Sequence, residues 1–326
     1  MRGACAGIVA LAVAQVASGF AFTGNSLAAG RVAARGASSA LTMKKGGEKG
    51  EKKNTHVRPK KFKISPKAQI LADGVIEMNV KTGQITKDAP KEVKNQAKPG
   101  SVEVGTMELY CKAGPDSKSL GDCPFTHYAH MVLRYKGLPV TLVPCAPDAK
   151  PDWLVEDHEG KMPCLVHDGE AYTESSEIVR YIEYFFPEPT LSPQGASAQM
   201  AEAMEATSGL FPLMARCVKN LDAAQDAEMV RAIESELKGV DALLRKNGGP
   251  FLCGKDLTLA DCSFAPKLYH TKTALAQFKN TIINPDFAAL HKYMDTIFAH
   301  PAFVESSYPP DVVVWGWNSA RGTSAK

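Results

Sequence analysis

The sequence predicts an α/β domain followed by an all-helical domain, the pair preceded by a targeting leader and a basic linker. Three observations carry this. Between residues 107 and 187 short strand-like runs alternate with stretches of helical period, whereas beyond residue 191 only helical texture remains. The charge is split as well: residues 1–100 hold 18 basic and 6 acidic side chains, and the rest of the chain holds 20 and 29. The overall net charge of +3 therefore averages a basic leader with a mildly acidic body, and says little about what the folded part binds. At 326 residues, 44% apolar and 22% charged, the chain has the composition of a soluble globular protein. Its length suits about two domains of roughly 100–200 residues. A collagen, a disulfide-stapled miniprotein and a multi-span membrane protein are excluded.

Arg2 precedes an apolar run from Ala4 to Ala17, long enough for the core of a signal peptide and too short to span a bilayer. Ala17, Ser18 and Gly19 offer a cleavage site, so residues 1–19 are expected to be a signal peptide. Residues 20–43 begin Phe20-Ala21-Phe22 and continue rich in Ser, Ala and Gly, with Arg31 and Arg35 and no acid, which is transit-peptide composition. Two addresses in series point to a plastid behind more than one membrane, with a plain secretory signal as the alternative. The stretch Ala17-Ser18-Gly19-Phe20-Ala21 resembles the A-S-A-F-A-P motif of algae with secondary plastids, keeping the Phe and lacking the Pro. Residues 44–104 are expected to be a basic linker or extension. Within it, 44–67 has too little apolar content to offset its ordering entropy, and Phe62 alone interleaves the basic run, which argues against a nucleic-acid arm. Residues 75–85 are hairpin-like.

The α/β domain is expected over 105–190. Residues 108–111 form a first strand, and Pro124 opens a helix whose Tyr128, Met131, Val132 and Tyr135 share one face before Gly137 stops it. Residues 140–143 and 163–167 are further strands, and Asp168-Gly169 turns into a short fourth. A helix with Ile178, Tyr181, Ile182 and Phe185 on one face closes the unit at Pro187, giving a small mixed sheet with helices on its faces. The helical domain is expected over 191–319. Long helical stretches cover about 194–220 and 224–246, Thr258 to Asp261 makes a capping-box-like start to a helix through Gln277, and Asn284-Pro285-Asp286 begins another.

The eight cysteines match no zinc pattern, include no C-x-x-C, and are too sparse for a disulfide framework. Most are expected to be buried small hydrophobes. Cys123 differs, because Asp122-Cys123-Pro124 places it at the N-cap of the first helix, where unpaired N–H groups and the helix dipole favour a thiolate. A bare N-cap would be better served by Ser or Asp. Thr126 stands where a dithiol oxidoreductase carries its second cysteine, so a mixed disulfide at Cys123 needs an external thiol. Met162-Pro163 could form a cis-proline turn beside this helix start and offer the Met162 main chain to an extended peptide; a trans bond is the ordinary alternative.

Leu109 to Gly114, Leu120 to Thr126, Lys150-Pro151-Asp152-Trp153, Gly160 to Pro163 and Glu174-Ser175 together resemble the glutathione transferase superfamily, and within it the glutathione-dependent dehydroascorbate reductases of plants and algae. Residues 266–272 and Gly316-Trp317 fit the same pattern, so the resemblance spans about 107–318. It implies a thioredoxin-like N-terminal domain with the all-helical C-terminal domain of that superfamily. It also implies Cys123 as nucleophile and Lys112 and Asp122 beside dehydroascorbate, with His270 and Trp317 closing that side. For glutathione it implies Lys150 on the glycine carboxylate, Met162 through its main chain, Glu174 and Ser175 on the γ-glutamyl end, and Pro163 in a structural role. These residue types suit the task, since a carboxylate wants Lys or helix N–H groups and an ammonium wants an acid. Glu174 departs from the usual Asp by one methylene.

The activity so implied is that of a monothiol oxidoreductase: two glutathiones and dehydroascorbate give glutathione disulfide and ascorbate, by thiol addition or through a sulfenic-acid-like stage. Glutathione is then a co-substrate, no metal or nucleic acid is implied, no stable membrane association is expected, and the chain is expected to be a monomer in a plastid. Two alternatives share parts of the pattern. One is a membrane-inserting protein resembling chloride intracellular channels, against which the polar His127, His130, Arg134 and Lys136 on the first helix argue. The other is an omega-type glutathione thiol transferase.

Overall fold

The computed structural model describes residues 104–322 and, ahead of them, four short strands between residues 60 and 86. The two targeting segments expected over 1–43 lie outside the described residues. The four strands are β1 (Lys60–Lys61), β2 (Ala68–Leu71), β3 (Gly74–Met78) and β4 (Ile85–Thr86), all inside the stretch expected to be linker. β2, β3 and β4 form an antiparallel sheet of their own, in which Met78 pairs with Ile85 across the expected hairpin.

A five-stranded mixed sheet organises the α/β domain. Its strands are β1, β5 (Met107–Lys112), β6 (Thr141–Cys145), β7 (Cys164–His167) and β8 (Glu170–Thr173), in the order β1-β8-β7-β5-β6. β5 runs parallel to β6 and antiparallel to β7, and β1 lies parallel along β8. Asp168 and Gly169 link β7 to β8 with φ of 48° and 82°, two successive left-handed residues as a tight hairpin of matching twist requires.

Helices α1 (Pro124–Tyr135) and α3 (Ser175–Phe185) cover one face of the sheet, with Met131, Val132, Ile178 and Ile182 fully buried against Leu109 and Leu165. The other face is closed by α2 (Asp152–His158), whose Trp153 and Leu154 pack on Tyr110, Cys164 and Val166. At two turns, α2 is too short for an apolar period to show in the sequence.

The helical domain comprises α4 (Ser197–Ser208), α5 (Leu210–Lys219), α6 (Ala223–Asn247), α7 (Leu259–Lys279), α8 (Ala288–Phe298), α9 (Pro301–Ser306) and α10 (Pro310–Arg321). The continuous helix expected over 194–220 is therefore two, parted at Gly209. Pro212 has no N–H to offer the Ser208 carbonyl and its ring crowds that carbonyl. Gly209 itself faces the Glu236 carboxylate, which a Cβ would approach to 2.8 Å. Helix α7 begins at the expected capping box: Asp261, buried, accepts from the Thr258 N–H and hydroxyl, each at 2.9 Å, and from the Leu252 N–H at 2.8 Å. One apolar core runs from Met107 to Trp317, with α1 packed on both α7 and α9.

Candidate active site

Strand register brings the expected site residues to one end of the sheet. β5 ends at Lys112, opposite Cys145; Tyr110 pairs with Cys164, the first residue of β7; and Cys164 pairs with Thr173, the last of β8. The segments that follow or precede these ends carry Asp122-Cys123, Lys150, Met162-Pro163 and Glu174-Ser175.

Beyond β5 the chain doubles back. The Gly121 N–H donates to the Lys112 carbonyl at 2.8 Å, and a Cβ on Gly121 would meet the carbonyls of Ala113 and Lys112 at 2.5 and 2.7 Å. This return lays Asp122 and Cys123 over the strand end, where Lys112 Nζ meets Asp122 Oδ1 at 2.6 Å. Cys123 is the N-cap of α1 in extended conformation, with Pro124 at the first helical position, and its carbonyl accepts the His127 N–H at 3.0 Å. Its half-buried thiol makes no capping bond, so the sulfur at this helix start is left unpaired by the cap. Thr126, fully buried one turn on, supplies no second thiol. The other described cysteines are buried except Cys253, which is half-buried like Cys123: burial pushes Cys111 and Cys164 up to about 12, and Cys145, Cys217, Cys253 and Cys262 up as well.

On the expected glutathione side, Lys150 Nζ donates to the Gly160 carbonyl at 2.8 Å, and Gly160, with φ of 65°, lies against that side chain. The Met162-Pro163 bond is cis, and Met162 is half-buried at the start of β7. Glu174 has φ of 67° and an exposed carboxylate 3.9 Å from Lys161 Nζ. Ser175 is the first residue of α3, so the unpaired N–H groups of that helix open beside Glu174.

The other side of Cys123 is built by α7 and α10. Trp317 Nε1 donates to His270 Nδ1 at 3.1 Å, and His270 Nε2 lies 2.7 Å from the Tyr308 hydroxyl. All three side chains are buried. Burial drives His270 down to about 3, with the Lys112 charge adding to the effect and the Asp122 carbonyl opposing it. Gly316 presses on Asp122 so closely that a Cβ would overlap its carboxylate. Trp315 lies under Lys112, 5.1 Å from ring centroid to Nζ. Exposed Phe125 meets Phe211 edge-on at 5.7 Å, and Phe211 in turn borders His270 and Trp317.

Three of the four polar residues on α1 that argue against membrane insertion, His127, His130 and Lys136, are buried. His127 packs on the rings of Phe303 and Tyr308, His130 accepts from Arg134 Nε at 3.1 Å, and Lys136 is enclosed by Glu183 and the carbonyls of Pro187 and Pro189. Burial lowers His127 to about 3 and His130 to about 4, so both rings are neutral and compatible with the core. Tyr308 and Trp315 carry no sequence signal of their own: Tyr308 is a lone aromatic before two prolines, and Trp315 was noticeable only as a neighbour of Gly316-Trp317. Among the described residues no cluster of metal-ligating side chains occurs, and no helix is long and apolar enough to cross a membrane.

A thiol at a helix start above a mixed sheet, a cis-proline turn beside it and a following helical domain define a class, and the chain matches the family descriptions "Glutathione S-transferase, N-terminal domain" over residues 119–190 and "Glutathione S-transferase, C-terminal domain" over 214–296. The chain belongs to the glutathione transferase family. It is 31% identical to "Glutathione S-transferase DHAR2" of Arabidopsis thaliana over 201 residues, 61% of this chain and 91% of that protein. The crystal structure of Chlamydomonas reinhardtii dehydroascorbate reductase superposes with a TM-score of 0.58 at 34% identity, covering 66% of this chain and 98% of that one. These relatives place it on the dehydroascorbate reductase branch of the family. "Glutathione S-transferase DHAR3, chloroplastic" of A. thaliana is 29% identical over 65% of this chain and 79% of its own length. Chloride intracellular channel protein 3 of Homo sapiens is 31% identical over 60% of this chain and 89% of its own.

Proposed function

We propose that this chain reduces dehydroascorbate to ascorbate by a monothiol mechanism at Cys123, with glutathione as co-substrate. The observation that carries the reading is a half-buried thiol at the α1 N-terminus, beside the Lys112–Asp122 pair and with Thr126 in place of a second cysteine. The Cys123 thiolate reduces dehydroascorbate by two electrons along one of two routes: water supplies the oxygen of a Cys123 sulfenic acid as ascorbate leaves with two protons, or the sulfur adds to a dehydroascorbate carbonyl carbon. The thiol of one glutathione then attacks the Cys123 sulfur, expelling water in the first case and protonated ascorbate in the second, to give a mixed disulfide, and the thiolate of a second glutathione attacks that disulfide, releasing glutathione disulfide and restoring Cys123. Lys112 and Asp122 border the dehydroascorbate, with His270 and Trp317 closing that side from behind. Lys150 meets the glycine carboxylate of glutathione, the Met162 main chain pairs with its backbone, Pro163 shapes that turn, and Glu174 with Ser175 holds the γ-glutamyl end. The chain acts as a monomer, and residues 1–43 carry it to a plastid, a reading the chloroplastic relative supports.

The test is ascorbate formation from dehydroascorbate and glutathione, followed by ultraviolet absorbance, for the full chain and its Cys123→Ser variant. Turnover abolished by the substitution is the expected result. Full thiol-dependent activity in Cys123→Ser overturns the mechanism, and absence of turnover in the folded, reduced parent overturns the substrate.

A further inference from the structure

Tyr308, His270 and Trp317 form a chain of hydrogen bonds whose direction is set by elementary valence. The indole N–H of Trp317 can only donate, so His270 Nδ1, 3.1 Å away, must carry a lone pair. A neutral imidazole then bears its single proton on Nε2, which donates to the Tyr308 hydroxyl at 2.7 Å. The reverse arrangement would leave both ring nitrogens accepting and the imidazole with no N–H at all. The ring also faces the main-chain carbonyl of Asp122, the residue immediately before Cys123. Tyr308 is itself fastened on two further sides: its carbonyl accepts the Tyr269 hydroxyl at 3.0 Å, and its ring packs edge-on against His127 at 5.4 Å, one turn below Cys123 in α1. The relay therefore joins α7, α1 and α10 directly behind the Asp122-Cys123 turn.

Nothing in this chain of rings is open to a ligand. His270 is 1% exposed, Tyr308 3% and Trp317 7%, and the polar atoms of His270 and Trp317 are spent on one another and on Tyr308. We propose that Tyr308 is a positioning residue for the nucleophile: through His270, and with Trp317 fixing the tautomer, it holds the Asp122-Cys123 turn in register with Lys112, and Tyr308 itself does not touch dehydroascorbate. The proposal rests on dehydroascorbate being the substrate, and two of its readouts are chosen so that the two ideas can fail separately.

The experiment compares the full chain with Tyr308→Phe, which keeps the ring and removes the hydroxyl, and with His270→Gln. Positioning predicts that kcat falls about 10-fold while KM for dehydroascorbate stays within about twofold, because misplacing a reacting group by a fraction of an ångström costs rate more than affinity. Alkylation of Cys123 by iodoacetamide, followed across pH, should shift in both variants, with unchanged circular dichroism. If the parent does not turn over dehydroascorbate, the substrate reading fails and the alkylation profiles still decide the relay. A KM raised about 10-fold with kcat retained would show that these side chains contact substrate and would overturn the proposal. Alkylation and kcat both equal to the parent's in the two variants would overturn it as well.

Discussion

Three neutral histidines in one seam make this fold sensitive to acid. His127, His130 and His270 are at most 1% exposed, and burial lowers them from 6.5 to about 3, 4 and 3. Each therefore binds fewer protons folded than unfolded throughout the window between its folded value and 6.5. Stability contributed by the neutral rings is complete above pH 6.5 and is lost as pH falls through that window. At pH 5 an unfolded histidine is almost fully protonated whereas these rings are not, which withdraws about 2 kcal/mol per ring relative to pH 8, or about 6 kcal/mol for the three. Glu183 and Asp261, both raised by burial, work in the opposite sense and trim the total. A domain of ordinary stability has only about 5–15 kcal/mol, so the protein should approach unfolding near pH 5. Urea titrations followed by tryptophan fluorescence at pH 8, 7, 6 and 5 measure this directly. His130→Gln keeps an acceptor for Arg134 and should flatten the dependence by about one third. Unfolding free energies equal within about 1 kcal/mol at pH 5 and pH 8 would refute the burial of neutral rings as its physical basis.

Other expected outcomes concern packing at the site and the capping of α7. Gly316→Ala places a methyl group on the Asp122 carboxylate and should cost about 1–3 kcal/mol along with most of the activity, read by thermal melting and by kcat/KM. Asp261→Ala leaves the Leu252 and Thr258 donors without their partner at a buried helix start and should destabilise by about 2–4 kcal/mol in urea, with the kinetics of the surviving folded fraction unchanged.

Local chemistry accounts for what could be read without the fold. Pro124 after Cys123, the Thr258-Asp261 box, the Asp168-Gly169 turn and the apolar faces of α1 and α3 each depend on residues within one or two turns of one another, so their signals survive in the linear chain. The same locality explains the misses. Helix α2 is too short for a period, and the burial of His127 and Lys136 depends on Phe303 and Glu183, which lie far along the chain.

The cysteines show the division in another way. Composition alone could not say whether Cys111, Cys145 and Cys164 pair. In the sheet, Cys145 and Cys164 stand on strands either side of β5 and two residues out of step along it, about 11–12 Å apart at the usual strand spacing and rise, and Cys111 lies on the opposite face from Tyr110 beside it. A disulfide needs Cα atoms within about 7 Å, so the register keeps these thiols separate.

By itself the sequence determined the order of the two domains and the residue types flanking Cys123, because capping, turn and periodicity rules act over a few residues. Only the tertiary structure decided what surrounds that thiol. Asp122, His270, Tyr308 and Trp317 are scattered over 196 positions of the chain and meet because α1, α7 and α10 share one apolar core. Once those helices are packed, burial leaves each polar atom few places to go, and the hydrogen bonds behind Cys123 follow from that confinement.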